Sequence, residues 1–229
     1  MKQLLSGKDW LISPFLPNEA GAHYSVISKV TAGNLYGGEF IPAQVPGDVQ
    51  SDMLDAGLLE DINIGMNARK AEWTYQRDWM YVRRFIPENV SCKKIVLQFD
   101  GVDYACDVFL NGQWLGYHEN AWIPFSFDIT DKGKRGEENC LIVLVKIAPF
   151  AQSQGGVCSQ VDHLKPRFAY GWDWCTRLVP LGIWRDVRID YRQDTAITDL
   201  YVSQDTDYES KKATVQAKLT VSDSVENCP

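Results

Sequence analysis

The sequence predicts an all-β chain: a jelly-roll β-sandwich followed by the opening of a second, smaller β-domain. Three observations carry this. Short apolar, β-branched runs bounded by turn residues recur from residue 77 to residue 191. Only one segment has the signature of a helix, and an Asn-Gly pair stands between two apolar runs where a tight hairpin belongs. A chain of 229 residues with 45% hydrophobic side chains can bury a large core without disulfides or metals.

The helix is expected in DVQSDMLDAGLLED, residues 48–61. Asp48 can cap it, Val49, Met53 and Leu54 share a face, and Gly57 can end it. The first long strand is RDWMYVRRFIP, which alternates around Trp79, Tyr81, Arg83 and Phe85. KKIVLQFDGVD follows, then DVFLNGQWLGYHEN, whose Asn111-Gly112 suits a two-residue type I′ turn because both positions need positive φ. NCLIVLVKIAP and GIWRDVRIDY continue the strands, and one helix among so many strands means a sandwich. After Tyr191 the aromatic density drops, and ATVQAKLTVSDSV alternates like the first paired strands of another sandwich. We therefore divide the chain into a jelly-roll domain, 1–191, and a segment 192–229 that begins a truncated second domain or forms a tail.

The net charge of −7 is dispersed, and no basic run exceeds a dipeptide, which argues against nucleic-acid and anionic-membrane partners. MKQLLSGKDWLIS has Gly, Lys and Asp where a signal peptide's apolar core would lie, so the expectation is a cytoplasmic protein, with a trimmed leader as the alternative. Cysteines at 92, 106, 140, 158, 175 and 228 show no ligand or paired-loop spacing and read as free thiols. His23, His118 and His163 are scattered, so neither a metal nor a cofactor is expected.

The stretch KPRFAYGWDWCTRL, residues 165–178, concentrates two tryptophans, a tyrosine, a phenylalanine, an aspartate and three basic side chains. Tryptophan needs a core to fill or a flat partner, and an aspartate beside it needs hydrogen-bond donors. A sugar ring supplies both. The candidate ligand-contacting residues are therefore Asp173, Trp172 and Trp174. The structural alternative pairs Asp173 with Arg177 or Arg167 and uses the tryptophans as interdomain filling. Consecutive side chains of an extended segment point to opposite sides, so Trp174 need not face the same way as Asp173, which favours core filling for Trp174. Lys165, Arg167 and Arg177 read as scaffold, long cations whose stems cover apolar surface.

FDGVDYACDVFLNGQWLGYHENAWIPFSFDIT and GIWRDVRI resemble the amino-terminal sandwich domain of family 2 glycoside hydrolases. KPRFAYGWDWCTRL with the following GIW, together with VPGDVQSDMLDAGLLED and INIGMNARKAEWTYQRDW, resembles the β-mannosidase branch of that family. The resemblance implies a galactose-binding-like jelly roll followed by an immunoglobulin-like domain. It also implies that the segment around Trp172-Asp173-Trp174 reaches an active site, with Asp173 accepting hydrogen bonds from hydroxyls of a terminal mannose. The branch usually has Gly-Pro after its second tryptophan, where this chain has Cys175-Thr176, a change that bears on the pose of Asp173.

Such enzymes are implied to be retaining and to use two glutamates on a (β/α)8 barrel that follows the second domain, a barrel of about 250 residues. Nothing in this chain alternates strand with helix over that length. No catalytic residue is therefore assigned here, and the barrel is the expected partner of this chain, with a β-mannoside as substrate. Asn18-Glu19, Glu72 and Glu119 read as structural or solvated, and Asp162-His163 has no nucleophile to serve. The alternatives are β-galactosidase or β-glucuronidase activity, or a stand-alone carbohydrate-binding module. The unfinished domain after Tyr191 favours an enzyme fragment. The oligomeric state is left open.

Overall fold

The computed structural model describes residues 1–17, 20–35, 39–150, 161–193 and 197–221. Asn18-Glu19, Cys158 and Cys228 lie outside them, as does the side chain of His23. The strands are β1 (Lys2–Leu4), β2 (Gly7–Phe15), β3 (Ile41–Val45), β4 (Asp78–Phe85), β5 (Lys94–Phe99), β6 (Ala105–Leu110), β7 (Gln113–Glu119), β8 (Phe125–Asp128), β9 (Asn139–Val145) and β10 (Val187–Arg192). They form two antiparallel sheets, one ordered β3-β2-β4-β9-β6-β7 and the other β1-β10-β5-β8. A core of Trp10, Trp79, Tyr81, Leu97, Phe99, Leu110, Leu141 and Val143 fills the space between them. This is the sandwich the strand pattern predicts. β11 (Ile197–Asp207) and β12 (Lys212–Val221) form a separate ribbon that pairs only with itself, its described side chains all exposed apart from a half-buried Ser203.

The hairpin between β6 and β7 turns at Asn111 (φ 52°) and Gly112 (φ 81°), the left-handed pair the sequence called for. A Cβ at Gly112 would find only the Thr31 side chain, no nearer than 3.6 Å, so the demand there is conformational and not steric. Gly112→Ala should therefore cost about 1 kcal/mol, read as a small shift of the urea midpoint with an unchanged slope.

The helical content corrects one expectation. The helix after Asp48 is present as α2 (Val49–Asp55), with the Asp48 carboxylate accepting from the Ser51 amide at 3.0 Å and Gly57 at φ 71° past its end. A longer helix, α1 (Ala20–Thr31), also exists. Its sequence, AGAHYSVISKVT, carries a glycine and several β-branched or hydroxyl residues, so local propensity argues against it. Packing overrides propensity: Ile27 and Val30 bury against Met80, Val82, Phe109, Ile142 and Leu144 on the outer face of the six-stranded sheet. Burying two such side chains contributes roughly 3–6 kcal/mol. The same helix explains why β9 is buried at all seven positions and does not alternate. Short helical turns at α3 (Asn67–Lys70), Glu72–Gln76 and Arg167–Tyr170 complete the described structure.

Candidate functional site

At one end of the sandwich, the segment 161–186 leaves the sheets, folds back on itself and returns to β10. Its outgoing limb makes a helical turn at Arg167–Tyr170, then reverses at Gly171, whose φ of 119° is open to glycine. Trp172 and Cys175 exchange backbone hydrogen bonds of 3.3 and 3.1 Å, which puts Asp173 and Trp174 at the tip of a two-residue turn. The segment is thus a tight hairpin and not an extended strand, which corrects the premise on which Trp174 need not face the same way as Asp173. The Trp172 and Trp174 rings meet edge to face, 5.9 Å apart, beside the aspartate.

Trp172 is 39% exposed, Trp174 79% exposed, and Asp173 lies in solvent between them. Among the described residues nothing hydrogen-bonds or ion-pairs with Asp173. Arg177, the first structural partner considered for it, is engaged elsewhere. Its guanidinium donates to the Tyr75 hydroxyl at 2.6 Å and the Tyr170 carbonyl at 3.3 Å, and lies over both tyrosine rings. Cys175, which stands where the resembling branch has glycine, does not have positive φ, so the turn forms without a glycine there.

The hairpin stands on a tied base. Lys165 is buried, and its ammonium donates to Asp103 Oδ1 at 2.6 Å and to the Pro180 carbonyl at 2.7 Å. Burial pushes the lysine down and the aspartate up, and their attraction opposes both shifts. The scaffold role expected of Lys165 and Arg177 comes about through hydrogen bonding and ion pairing more than through their stems. Leu178 donates to the Ala169 carbonyl, Gln50 to the Val179 carbonyl and Tyr170 to the Pro149 carbonyl.

Beside the hairpin opens a cavity of about 640 Å³. Its walls include Trp122, Trp184, Phe168, Pro46, Pro166 and Leu178, with Asp48, Asp103 and Lys165 as its charged groups, and Cys175 and Thr176 bring the base of the turn to its edge. Trp184 donates its indole N–H to the Ala121 carbonyl at 2.9 Å and meets Trp122 edge to face at 5.0 Å. Volume and apolar lining are those of a small-ligand pocket. Trp122 and Trp184 escaped sequence reasoning because they lie in loops 62 positions apart; the small Gly101, on which a Cβ would come within 2.7 Å of the Trp184 indole nitrogen, was the available signal.

The other candidates stay apart. Glu119 accepts from the Tyr117 hydroxyl at 2.7 Å, His118 stacks on Phe125, and the His163 ring meets Tyr104 edge to face at 5.8 Å. Among the described residues no three His, Cys, Asp or Glu side chains could hold a metal ion, and no helix is long and apolar enough to cross a membrane. Cys92, Cys106, Cys140 and Cys175 are free.

Comparison with known proteins places this architecture. Residues 27–185 match the family model described as glycosyl hydrolase 2 galactose-binding domain-like. The chain is 31% identical to a β-mannosidase of Mus musculus over 192 residues, covering 75% of this chain and 22% of that protein. It is 28% identical to β-mannosidase B of Thermothelomyces thermophilus over 196 residues, again 22% of the relative. The chain therefore spans about a fifth of the length of the curated relatives it matches. Among solved structures, a β-D-mannosidase of Dictyoglomus thermophilum superposes with a TM-score of 0.75 at 24% identity over 96% of this chain and 26% of that one. A β-glucuronidase of Ruminococcus gnavus superposes at 0.65 with 20% identity over 98% of this chain and 33% of that one, which shows the shared fold. The resemblance to the β-mannosidase branch, carried in the sequence by KPRFAYGWDWCTRL, agrees with these relatives. By the match over 27–185, the chain belongs to glycosyl hydrolase family 2 through its galactose-binding domain-like unit.

Proposed function

We propose that the complete protein removes terminal β-linked mannose with retention, and that this chain supplies scaffold and one wall of the sugar subsite. Asp173 accepts hydrogen bonds from sugar hydroxyls, and Trp172 and Trp174 flank the ring. The two carboxylates that would perform a retaining displacement, about 5–5.5 Å apart, belong to a barrel outside these residues. The observation that carries this reading is a carboxylate at a hairpin tip, between two exposed indoles, with no partner among the described residues. The similarity to β-mannosidases supports mannose over other sugars in this reading.

A charged acceptor to sugar hydroxyls contributes roughly 1.5–3 kcal/mol per bond, so Asp173→Ala in the complete protein should lower kcat/KM on an aryl β-mannoside by about tenfold to a hundredfold or more. The measurement is hydrolysis of a panel of aryl β-glycosides by the complete protein, its Asp173→Ala variant and the isolated chain. The isolated chain should be inactive and bind mannose only weakly, having one wall of the pocket. Preference for galactoside or glucuronide, or indifference to the change at 173, would overturn the reading.

A further inference from the structure

We propose that Lys165 is a positioning residue for Asp173: by tying both limbs of the hairpin to the sandwich, it sets where the carboxylate stands. The inference rests on the subsite reading above. The two limbs are joined at four levels: Lys165 to Pro180, Ala169 to Leu178, Tyr170 to Arg177, and Trp172 to Cys175. The Tyr170–Arg177 level is also held from outside the hairpin, by the Tyr170 bond to the Pro149 carbonyl and the Arg177 bond to the Tyr75 hydroxyl. The lowest level differs in that a single residue of the sandwich holds both limbs.

That residue is Asp103. Its backbone exchanges two hydrogen bonds with Gly182, of 2.8 and 3.0 Å, and so holds the returning limb. Its carboxylate accepts from Lys165 at 2.6 Å and so holds the outgoing limb. Lys165 in turn donates to the Pro180 carbonyl at 2.7 Å, closing a ring of contacts across the base. The Lys165 side chain is wholly buried, so no water can replace either acceptor in place. Asp173 lies eight positions beyond Lys165 and has no partner of its own among the described residues, so its position is inherited from the limbs that carry it. A fixed carboxylate is ready to accept sugar hydroxyls without first being ordered.

A positioning role and a merely structural one separate in a double-mutant cycle on the complete enzyme. Lys165→Met alone leaves Asp103 buried without its cation and risks misfolding, so it is paired with Asp103→Asn. The combined variant is made with Asp173 present and with Asp173→Ala, and kcat and KM are read on an aryl β-mannoside. With Asp173 present, kcat/KM should fall at least tenfold, carried mainly by KM. In the Asp173→Ala background the same change should matter less than twofold.

Equal losses in both backgrounds, or a fall in kcat with KM unchanged, would show a loss of folded enzyme and overturn the positioning role. So would a variant with unchanged kinetics. If Asp173→Ala alone is silent, the subsite reading fails and the positioning role with it; if Asp173→Ala is costly and the base variant simply adds, only the positioning role fails.

Discussion

Gly182→Ala is expected to lower the folding stability of this chain by about 2–6 kcal/mol. Gly182 has φ 153°, a region that side-chain-bearing residues rarely adopt. A Cβ there would lie 2.8 Å from the Gly47 carbonyl oxygen, 2.9 Å from Asp48 Cα and 2.9 Å from the Tyr81 hydroxyl. Two of the three are backbone, and the third belongs to a fully buried side chain, so none can swing aside. Overpacking of this kind costs about 1–3 kcal/mol, and the disfavoured backbone adds about 1–3 more.

Gly57→Ala is the control. Gly57 also has positive φ, 71°, but nothing lies within 4 Å of its Cβ position, so the change should cost only about 1 kcal/mol. Urea unfolding of both variants separates conformation from contact. Equal losses would mean that the backbone at 47–48 yields, and that the close approach is not what makes Gly182 necessary. A loss at 182 also reaches the site, because Gly182 is bonded to Asp103, and Gly47 and Asp48 line the cavity.

Asp52→Asn should stabilise the chain at neutral and alkaline pH and leave it unchanged in acid. Asp52 is 3% exposed, and burial raises its pKa to about 7, with Asp48 and Asp55 adding to the rise and the bond from the Gln44 amide opposing it. Oδ1 accepts that amide at 2.8 Å, while Oδ2 has no hydrogen-bond partner among the described residues. The folded chain therefore keeps a proton that the unfolded chain releases near pH 4. Stability is full below pH 4 and declines as pH rises through about 7, by up to about 4 kcal/mol.

An asparagine stays neutral, keeps an oxygen for Gln44 and puts an N–H donor in place of the unpartnered oxygen. The difference between variant and parent should grow from near zero at pH 4 to a plateau of roughly 2–4 kcal/mol above pH 7. Denaturant midpoints at several pH values measure it. Taking the difference removes the contribution of the Asp103–Lys165 pair, which is common to both proteins. Parallel curves would mean that Asp52 is charged in the fold at neutral pH.

Much of the strand content was legible because its causes are local. Asn111-Gly112 turns because those two residues tolerate left-handed φ, and α2 starts where the Asp48 carboxylate accepts from the Ser51 amide. The helix α1 was not legible, because in AGAHYSVISKVT the glycine and the β-branched and hydroxyl residues offset the alanines until a sheet offers an apolar face. The site divides in the same way. Asp173, Trp172 and Trp174 stood out as residue types that need partners. Their juxtaposition at a hairpin tip did not, since it depends on Gly171, on the Trp172–Cys175 bonds and on a base held by Asp103, 62 positions before Lys165.

By itself, then, the sequence determined the all-β class, the hairpin at Asn111-Gly112, the capped helix after Asp48 and, through KPRFAYGWDWCTRL, the family it resembles. These follow from backbone preferences and side-chain chemistry within a few residues. Only the tertiary structure decided that α1 exists, that Arg177 serves the tyrosines and not Asp173, that Trp122 and Trp184 share a cavity, and that Lys165 is locked to Asp103. Each of these is a contact between distant segments, set by which surfaces must leave water together, and no local pattern encodes that choice.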